Sequence, residues 1–582
     1  MTTSSGIYGL FRLDGGPIDT RDARALGLDV VGSANAALAQ AVDPHAPTAL
    51  HRAEDDGALT ILVGHIEELD ALAARLNVAP SMPPALLARA ALHRFGRDTP
   101  AEMIGEWSLL HWDGRERRST LTMSAARRDR LFFAVDGPRV AVASDLFALS
   151  RIAWIGSRLD EAGLLVSLGR AELREAMGDR TMLANVRQLE PGTSVTIALG
   201  TVRRESATIF VAQPRWTGSF DDALAVAEET MRDILRARIA RTAVPGVLLS
   251  GGLDSSTIAW IAAEERAAGQ RMLLLTSVAP PGSGLADEAV FAIAVAERLG
   301  LTTEHVSPPN DANIYRPSDA ILSGASRPPM PVRHCLTDTF QARGKALGAT
   351  ALFDGTFGEN TITGSFPLAT MHQRMRSAAG QLRRYLLPPA AAPVRGAFHV
   401  RLSAERLAAL PKSMRGTPSP PGYPEVRRPG EPWGYLPGSE KAMLHPNEFY
   451  PGALRMEFPY RDMRLLRLFA GFPASFLVHD GLDRAPVRHM LAGHMPDAVR
   501  LRRSGGAASP DHMMRLQRQA HAARGRVATF RKAEVQEWLD LDWLDGALAQ
   551  VSKRGPMNFA ESYEVQLTAI TAEFLTWWRT QS

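Results

Sequence analysis

Cysteine is almost absent from this chain, with Cys335 the one example in 582 residues. No disulfide can form within the chain, and no cysteine-rich metal site can be assembled. That usage fits the cytoplasm, which is the expected location. A run of about 18 apolar residues, long enough to cross a membrane, is also missing. The opening stretch from Met1 to Phe11 has no basic segment followed by an apolar one, so neither a signal peptide nor a membrane partner is expected. Charge of one sign is not in excess: 66 basic against 62 acidic residues leave a formal net charge of +4. So small a surplus argues against a nucleic-acid partner, and short basic clusters such as 500–503 read first as solvated surface. No repeat at a fixed period is present.

What is there is a globular composition, 45% hydrophobic and 22% charged, in a chain long enough for two to four domains. The first 210 residues carry short strand-like segments at 59–63, 107–112, 119–123, 131–135, 140–143 and 194–197. Helical stretches at 67–76 and 84–95 lie among them, and an α+β sandwich is the natural reading. Residues 213–219 then read as a linker, separating an expected domain 1–212 from a second at 219–582. An amphipathic helix comes next at 220–242, with Leu224, Met231, Ile234, Leu235 and Ile239 at helical spacing. Strands at 247–250, 271–278 and 349–353 alternate with helices at 257–268 and 288–299, which predicts a parallel α/β sheet. The proline- and glycine-rich stretch 388–437 reads as an irregular insertion, and the last 140 or so residues as mainly helical.

The strongest local signal is Leu248-Leu249-Ser250-Gly251-Gly252-Leu253-Asp254-Ser255-Ser256. A buried strand enters a small-residue turn and then a helix. Gly251 and Gly252 let the backbone approach an anion, while the helix N-terminus and the hydroxyls of Ser250, Ser255 and Ser256 supply donors. No Lys-Ser/Thr pair comes after it, so this is not the phosphate loop of a Walker-type protein. The bland alternative is a tight turn whose serines cap the helix. A second loop, Phe353-Asp354-Gly355-Thr356-Phe357-Gly358-Glu359-Asn360, leaves a strand at the end where α/β ligands bind.

The first string resembles the pyrophosphate loop of the N-type ATP pyrophosphatases, and the order of the segments beyond it resembles that of the asparagine synthetase superfamily. The strand 273–278 matches one bearing adenosine contacts, which brings in Ser277; Asp287-Glu288 matches an acidic pair opening a helix, and His305 a histidine after a Leu-Gly turn. The acidic loop is similar to the family's Gly-rich metal loop, with Gly355 at its start and Glu359-Asn360 where an Asp-Glu pair is usual. The resemblance implies ATP and Mg2+ as cofactors, with Asp254 and Glu359 holding the metal against the leaving pyrophosphate. Asp354 reads either as part of that site or as a turn residue.

The first half fits the same superfamily. Gly105-Glu106-Trp107-Ser108, Ala143-Ser144-Asp145-Leu146-Phe147-Ala148-Leu149 and Leu189-Glu190-Pro191-Gly192 recur in the order of its glutaminase-like, Ntn-type domain. A working glutaminase needs a cysteine directly after the initiator Met, and Thr2 stands there. The triplet that holds glutamine, Asn-Gly-Glu in the family, is Val63-Gly64-His65. The resemblance therefore implies a degenerate domain and a nucleophile other than ammonia from glutamine.

In the second half, Phe458-Pro459-Tyr460-Arg461-Asp462-Met463-Arg464-Leu465 is similar to the family's Pro-Phe-x-Asp-x-x-Leu, and Arg484, Arg488 and the run 491–503 to its closing pattern. The lysine expected two residues after Arg502 is Ser504, which leaves Arg503 or Arg500 to supply positive charge at the reacting phosphates. A synthetase half beside a glutaminase domain without its cysteine resembles two branches, β-lactam synthetase and the lasso-peptide cyclase. Residues 6–12, 354–359 and 502–506 look most like the cyclase. That branch implies a ligase which adenylates an Asp or Glu side chain of a precursor peptide for attack by the peptide's amine, releasing AMP and pyrophosphate. Its implied partners are the precursor peptide, a leader peptidase and a leader-binding protein. The alternatives are a β-lactam-type or other amide ligase, ammonia-dependent asparagine synthesis, and a nucleotide-binding module without turnover.

Overall fold

The computed structural model describes residues 6–28, 36–42, 50–55, 57–126, 130–169, 178–207, 214–286, 288–328, 333–364, 398, 400–410, 454–502, 509–555 and 558–581. Most of the expected insertion at 388–437 lies outside the described residues, as do Thr2, Asp287, Arg503 and Ser504.

The first half contains strands β1 (Gly6–Arg12), β2 (Ala37–Val42), β3 (Leu50–Asp55), β4 (Ala58–Ile66), β5 (Gly105–Asp113), β6 (Arg118–Met123), β7 (Phe132–Asp136), β8 (Arg139–Ala143), β9 (Arg187–Gln188), β10 (Thr193–Ala198) and β11 (Thr201–Ser206). They form two antiparallel sheets, ordered β2-β1-β8-β7-β9 and β11-β10-β6-β5-β4-β3. Strand alternation explains how these stack. Ile61 and Val63 of β4 join Ile7, Phe11, Trp112 and Leu121 in the core between the sheets, and Phe11 stacks on Trp112 with ring centroids 5.3 Å apart. Leu62, one residue out of phase, packs instead with Leu72, Leu87 and Leu92 of the helices Leu69–Leu76 and Pro84–Phe95. The far face of the other sheet, through Tyr8, Leu10, Phe132 and Ala141, shares a core with Leu544, Phe574 and Trp578 of the C-terminal helices Leu541–Arg554 and Phe559–Gln581. The layers run helix, sheet, sheet, helix. Strands β1, β2, β3, β9 and β11 go beyond the sequence expectation; Gly6 and Gly9 weaken strand propensity in β1, and β11 is polar along most of its length.

The second half is a parallel sheet of β12 (Pro245–Leu248), β13 (Leu273–Ser277), β14 (Thr303–Val306), β15 (Ala351–Phe353) and β16 (Arg455–Glu457), ordered β14-β13-β12-β15-β16. The helix Phe220–Ala240 begins at a capping box between Ser219 and Asp222. Its Met231, Ile234, Leu235 and Ile239 meet Val247 and Phe353 on one face of the sheet. The neighbours of β12 are β13, which is next in the chain, and β15, which comes much later. That reversal opens a crevice at the strands' C-terminal ends, where α/β proteins place ligands. The helix after β12 starts at Leu253 rather than near 257, because Gly251 completes the turn in one left-handed residue (φ +69).

Buried charge joins the halves. Arg238, 1% exposed, donates to Glu106 of β5 (2.7 Å) and Glu457 of β16 (2.8 Å), with Asp462 at 3.4 Å. Arg241 bonds Glu67 at 2.8 Å, and Arg455 donates to Nε2 of His65 at 3.0 Å. Burying such charges is costly unless each finds a partner, so Glu67 and Glu106 of the first half dock onto guanidinium groups of the second, which Glu457 and Asp462 also help to balance. Although burial opposes its ionisation, Arg455, Arg241 and Arg238 hold Glu457 well below the ordinary carboxylate range. Among the described residues no helix is long and apolar enough to cross a membrane.

Candidate functional site

The crevice beyond β12 is built from two loops held in contact by glycine. After Leu249, whose amide donates to the Leu275 carbonyl (2.8 Å), Ser250 leads into Gly251. A Cβ on Gly251 would lie 2.5 Å from the Phe291 Cβ and 2.6 Å from the Ala292 amide, so only glycine fits. Gly252 then caps the helix Leu253–Glu265 in an extended conformation. From the other side the loop after β15 comes in: a Cβ on Gly355 would be 2.9 Å from the Asp254 Cβ, and one on Gly358 would overlap the Asp254 carboxylate. Between Gly355 and Gly358, Phe357 adopts a left-handed conformation (φ 79°, ψ 0°), which costs a non-glycine residue on the order of 1 kcal/mol or more.

A cavity of about 400 Å³ lies between these loops. One wall is apolar, with Leu248, Leu275, Leu336, Phe340, Leu352 and Met456, and suits a flat ring. The polar end carries Ser250, Gly252, Asp254, Ser255, Ser277, Asp354, Gly355 and Thr356. Of the remaining residues expected at the site, Gly251 shapes the turn from behind. Ser256 is fully buried in the helix, and Glu359 sits exposed on the turn Gly358–Asn360. Arg503 lies outside the described residues. The serines divide in role. Ser250 and Ser255 bond each other (3.0 Å), and the Ser250 amide donates to the Ser255 hydroxyl at 3.1 Å, which ties the turn together, while no side chain caps the helix start. The hydroxyl oxygen of Ser277, by contrast, is buried at the cavity without a hydrogen-bond partner among the described residues. Such an orphan fits a site completed by a polar ligand.

The acidic pair is close enough to interact. Burial pushes the Asp254 carboxyl up to about 6; a hydrogen bond from Thr363 (2.5 Å) opposes this, the charge of Glu359 adds to it and Arg484 offsets it. Two carboxylates in such surroundings suit a divalent cation, with phosphate oxygens or water as the other ligands. Among the described residues no cluster of three or more His, Cys, Asp or Glu residues could hold a metal unaided. Tyr460, fully buried, donates its hydroxyl to the Asp254 carbonyl at 2.9 Å and so anchors the helix start from the β16 side.

Sequence reasoning missed several lining groups. Arg333, Thr337 and Gln341 line the cavity from the start and one stripe of the helix His334–Ala346, a four-residue spacing that was available as a signal. Arg502 and Glu288, by contrast, lie in strings that the sequence itself singled out; they ion-pair and both line the cavity, and the Arg502 guanidinium lies 4.1 Å from the ring centroid of Phe291. The triplet Val63-Gly64-His65 lies in β4, where His65 is engaged by Arg455.

Comparison with known proteins then adds a family. The profile described as asparagine synthase matches residues 227–397 and 453–579, more than half of the chain. No curated protein matches. Among solved structures, the chain is similar to glutamine phosphoribosylpyrophosphate amidotransferase from B. subtilis complexed with ADP and GMP. That match has 12% identity and a TM-score of 0.23, and covers 54% of this chain and 77% of that one. A second, titled the allosteric regulatory enzyme of purine biosynthesis, matches at 11% identity and a TM-score of 0.23, covering 54% and 76%. Likeness at that level establishes neither fold nor activity for this chain.

Proposed function

Because this chain belongs to the asparagine synthase family, we propose that it is an AMP-forming amide ligase, and within that class a macrolactam cyclase acting on a precursor peptide. The observation that carries the reading is the crevice itself: a cavity with an apolar wall, an orphaned Ser277 hydroxyl and two neighbouring carboxylates at the switch point of a parallel sheet. ATP fits that division, its base on the apolar side and its phosphates toward Gly252 and the helix start. Asp254 and Glu359 would hold Mg2+, which supplies positive charge to the departing pyrophosphate. Arg502 and Arg333 bring positive charge to the same cavity, and the apolar wall excludes water that would otherwise hydrolyse an activated acyl group.

The intramolecular nucleophile is favoured by the state of the first half. Thr2 stands where the glutaminase thiol would, and His65, at the glutamine-holding triplet, is engaged with Arg455. With the residues of the glutaminase replaced, an amine on the substrate itself is the economical nucleophile. Joining both reacting groups in one molecule can contribute about 7–11 kcal/mol in well-oriented cases. In that reaction a carboxylate oxygen of an Asp or Glu side chain bonds to the α-phosphorus as pyrophosphate leaves. The peptide's α-amine then bonds to the acyl carbon as AMP leaves, and a proton is released from the amine. A leader peptidase and a leader-binding protein would prepare the peptide, in the cytoplasm.

The test is mass spectrometry of precursor peptide, ATP and magnesium with the enzyme, adding the leader peptidase where trimming is needed. The expected product weighs one water less than the linear peptide, and acetylating the N-terminus abolishes it. Asparagine formed at a good rate from aspartate and ammonia, with peptides inert, would overturn the cyclase reading.

A further inference from the structure

Arg461 is 2% exposed, and none of its three guanidinium nitrogens has a hydrogen-bond partner among the described residues. A guanidinium carries five N–H donors, and burying one without partners is among the more expensive things a fold can do. Leucine or methionine would fill the space without that cost. What the side chain does contact is the ring of Phe357, with its guanidinium carbon 4.9 Å from the ring centroid, and Phe458 closes on the same ring edge-on (centroids 6.4 Å apart). Phe357 is the left-handed residue of the acidic loop, directly before Gly358, which packs against the Asp254 carboxylate, and Glu359.

We propose that Arg461 is a positioning residue for the nucleotide site: its buried guanidinium pins the Phe357 ring and thereby holds the loop 354–360 in the conformation that brings Glu359 toward Asp254. A desolvated cation over a ring face gains more than an exposed one, and a flat guanidinium covers the ring as an ammonium cannot. The pin offsets the left-handed strain at Phe357. It also explains why the turn after it is well bonded, with the Asn360 amide to the Phe357 carbonyl (3.0 Å) and the amides of Thr361 and Thr363 to the Gly358 carbonyl (2.9 and 3.0 Å). Burial brings the Arg461 guanidinium down to about 10, and Arg238 adds to this, but the first half of the chain takes part through Glu106 of β5, whose charge favours the ionised form.

The proposal rests on the crevice being a nucleotide site only for its consequence, so the experiment has two arms. In the ligand-free protein, amide hydrogen exchange over 358–363 should quicken roughly ten- to thirtyfold in Arg461→Met and in Phe357→Leu. The double variant should be no faster than the faster single one, because both remove one contact. Arg461→Lys should recover part of the loss, and Arg461→Met should melt no lower than the parent, since it relieves an unpaired buried charge. In the second arm, calorimetric titration with Mg·ATP should show weakened binding in the same variants, with ATP alone less affected. Unchanged exchange, or effects that multiply in the double variant, overturns the proposal. Altered exchange with equal Mg·ATP affinity in all variants overturns the role at the site. Altered exchange with no Mg·ATP binding by the parent overturns the nucleotide reading and leaves the pin standing.

Discussion

Replacing Gly251 by alanine adds one methyl group at the tightest point of the crevice, at two separate costs. The backbone is left-handed there (φ +69), which penalises an alanine by roughly 1–2 kcal/mol. The new Cβ would also come within 2.5 Å of the Phe291 Cβ and 2.6 Å of the Ala292 amide. Since both belong to the helix Ala289–Arg298, the relief must come from moving backbone, and overpacking of this kind costs about 1–3 kcal/mol. Gly251→Ala should therefore destabilise the second half by about 2–5 kcal/mol, read as a lowered midpoint in urea. Gly252→Ala is the control. Its φ is an ordinary −82°, the nearest atom to its would-be Cβ is the movable Ser250 Oγ at 3.2 Å, and it faces the cavity. That variant should stay within about 1 kcal/mol of the parent in stability yet bind ATP more weakly. Equal midpoints for Gly251→Ala and the parent would refute the steric reasoning. A Gly252→Ala variant with unaltered ATP affinity would refute the assignment of that backbone to the ligand.

Arg238→Met should cost about 3–5 kcal/mol in chemical denaturation, because Glu106, Glu457 and Asp462 would lose the charge that compensates their burial; a loss below about 1 kcal/mol would mean that water reaches this junction. Burial raises the Asp338 carboxyl to about 6, a hydrogen bond from Ser318 opposing. The folded protein therefore holds that proton longer than the unfolded chain does. The contribution of this group to stability should fall as pH rises from about 4 to about 6, by of order 1 kcal/mol after allowance for solvent screening at this partly exposed group. It is read as the difference between the pH profiles of the parent and Asp338→Asn, and a difference that does not change over that range would count against it.

The loop 250–256 was legible because its logic is local. A strand, two glycines and a run of small hydroxylated residues state their geometry within nine positions, and β12, Gly251 and the helix from Leu253 realise it. The parallel sheet was legible from apolar segments alternating with helical ones, and the sandwich from short strand-like segments such as 59–63 set between turn residues. Strands β14 and β16 were not, since Thr303–Val306 and Arg455–Glu457 are short and polar and become strands only by pairing with β13 and β15.

Other features have no local signature at all. Arg238 sits on the helix Phe220–Ala240 between Arg236 and Arg241, and nothing in its neighbours marks it as buried while Arg236 is half exposed. Arg461 reads as the variable position of a family string, and only its place beneath Phe357 gives it a task. The sequence by itself determined the family and the kind of loop at the end of β12, because each depends on residue types at fixed spacing. The tertiary structure alone decided which charges are buried, that Glu359 stays exposed while Asp254 is enclosed, and that the first sheet shares its core with the last helix. Those depend on segments hundreds of positions apart removing water from one another, and the free energy of a charge is set by the water it loses.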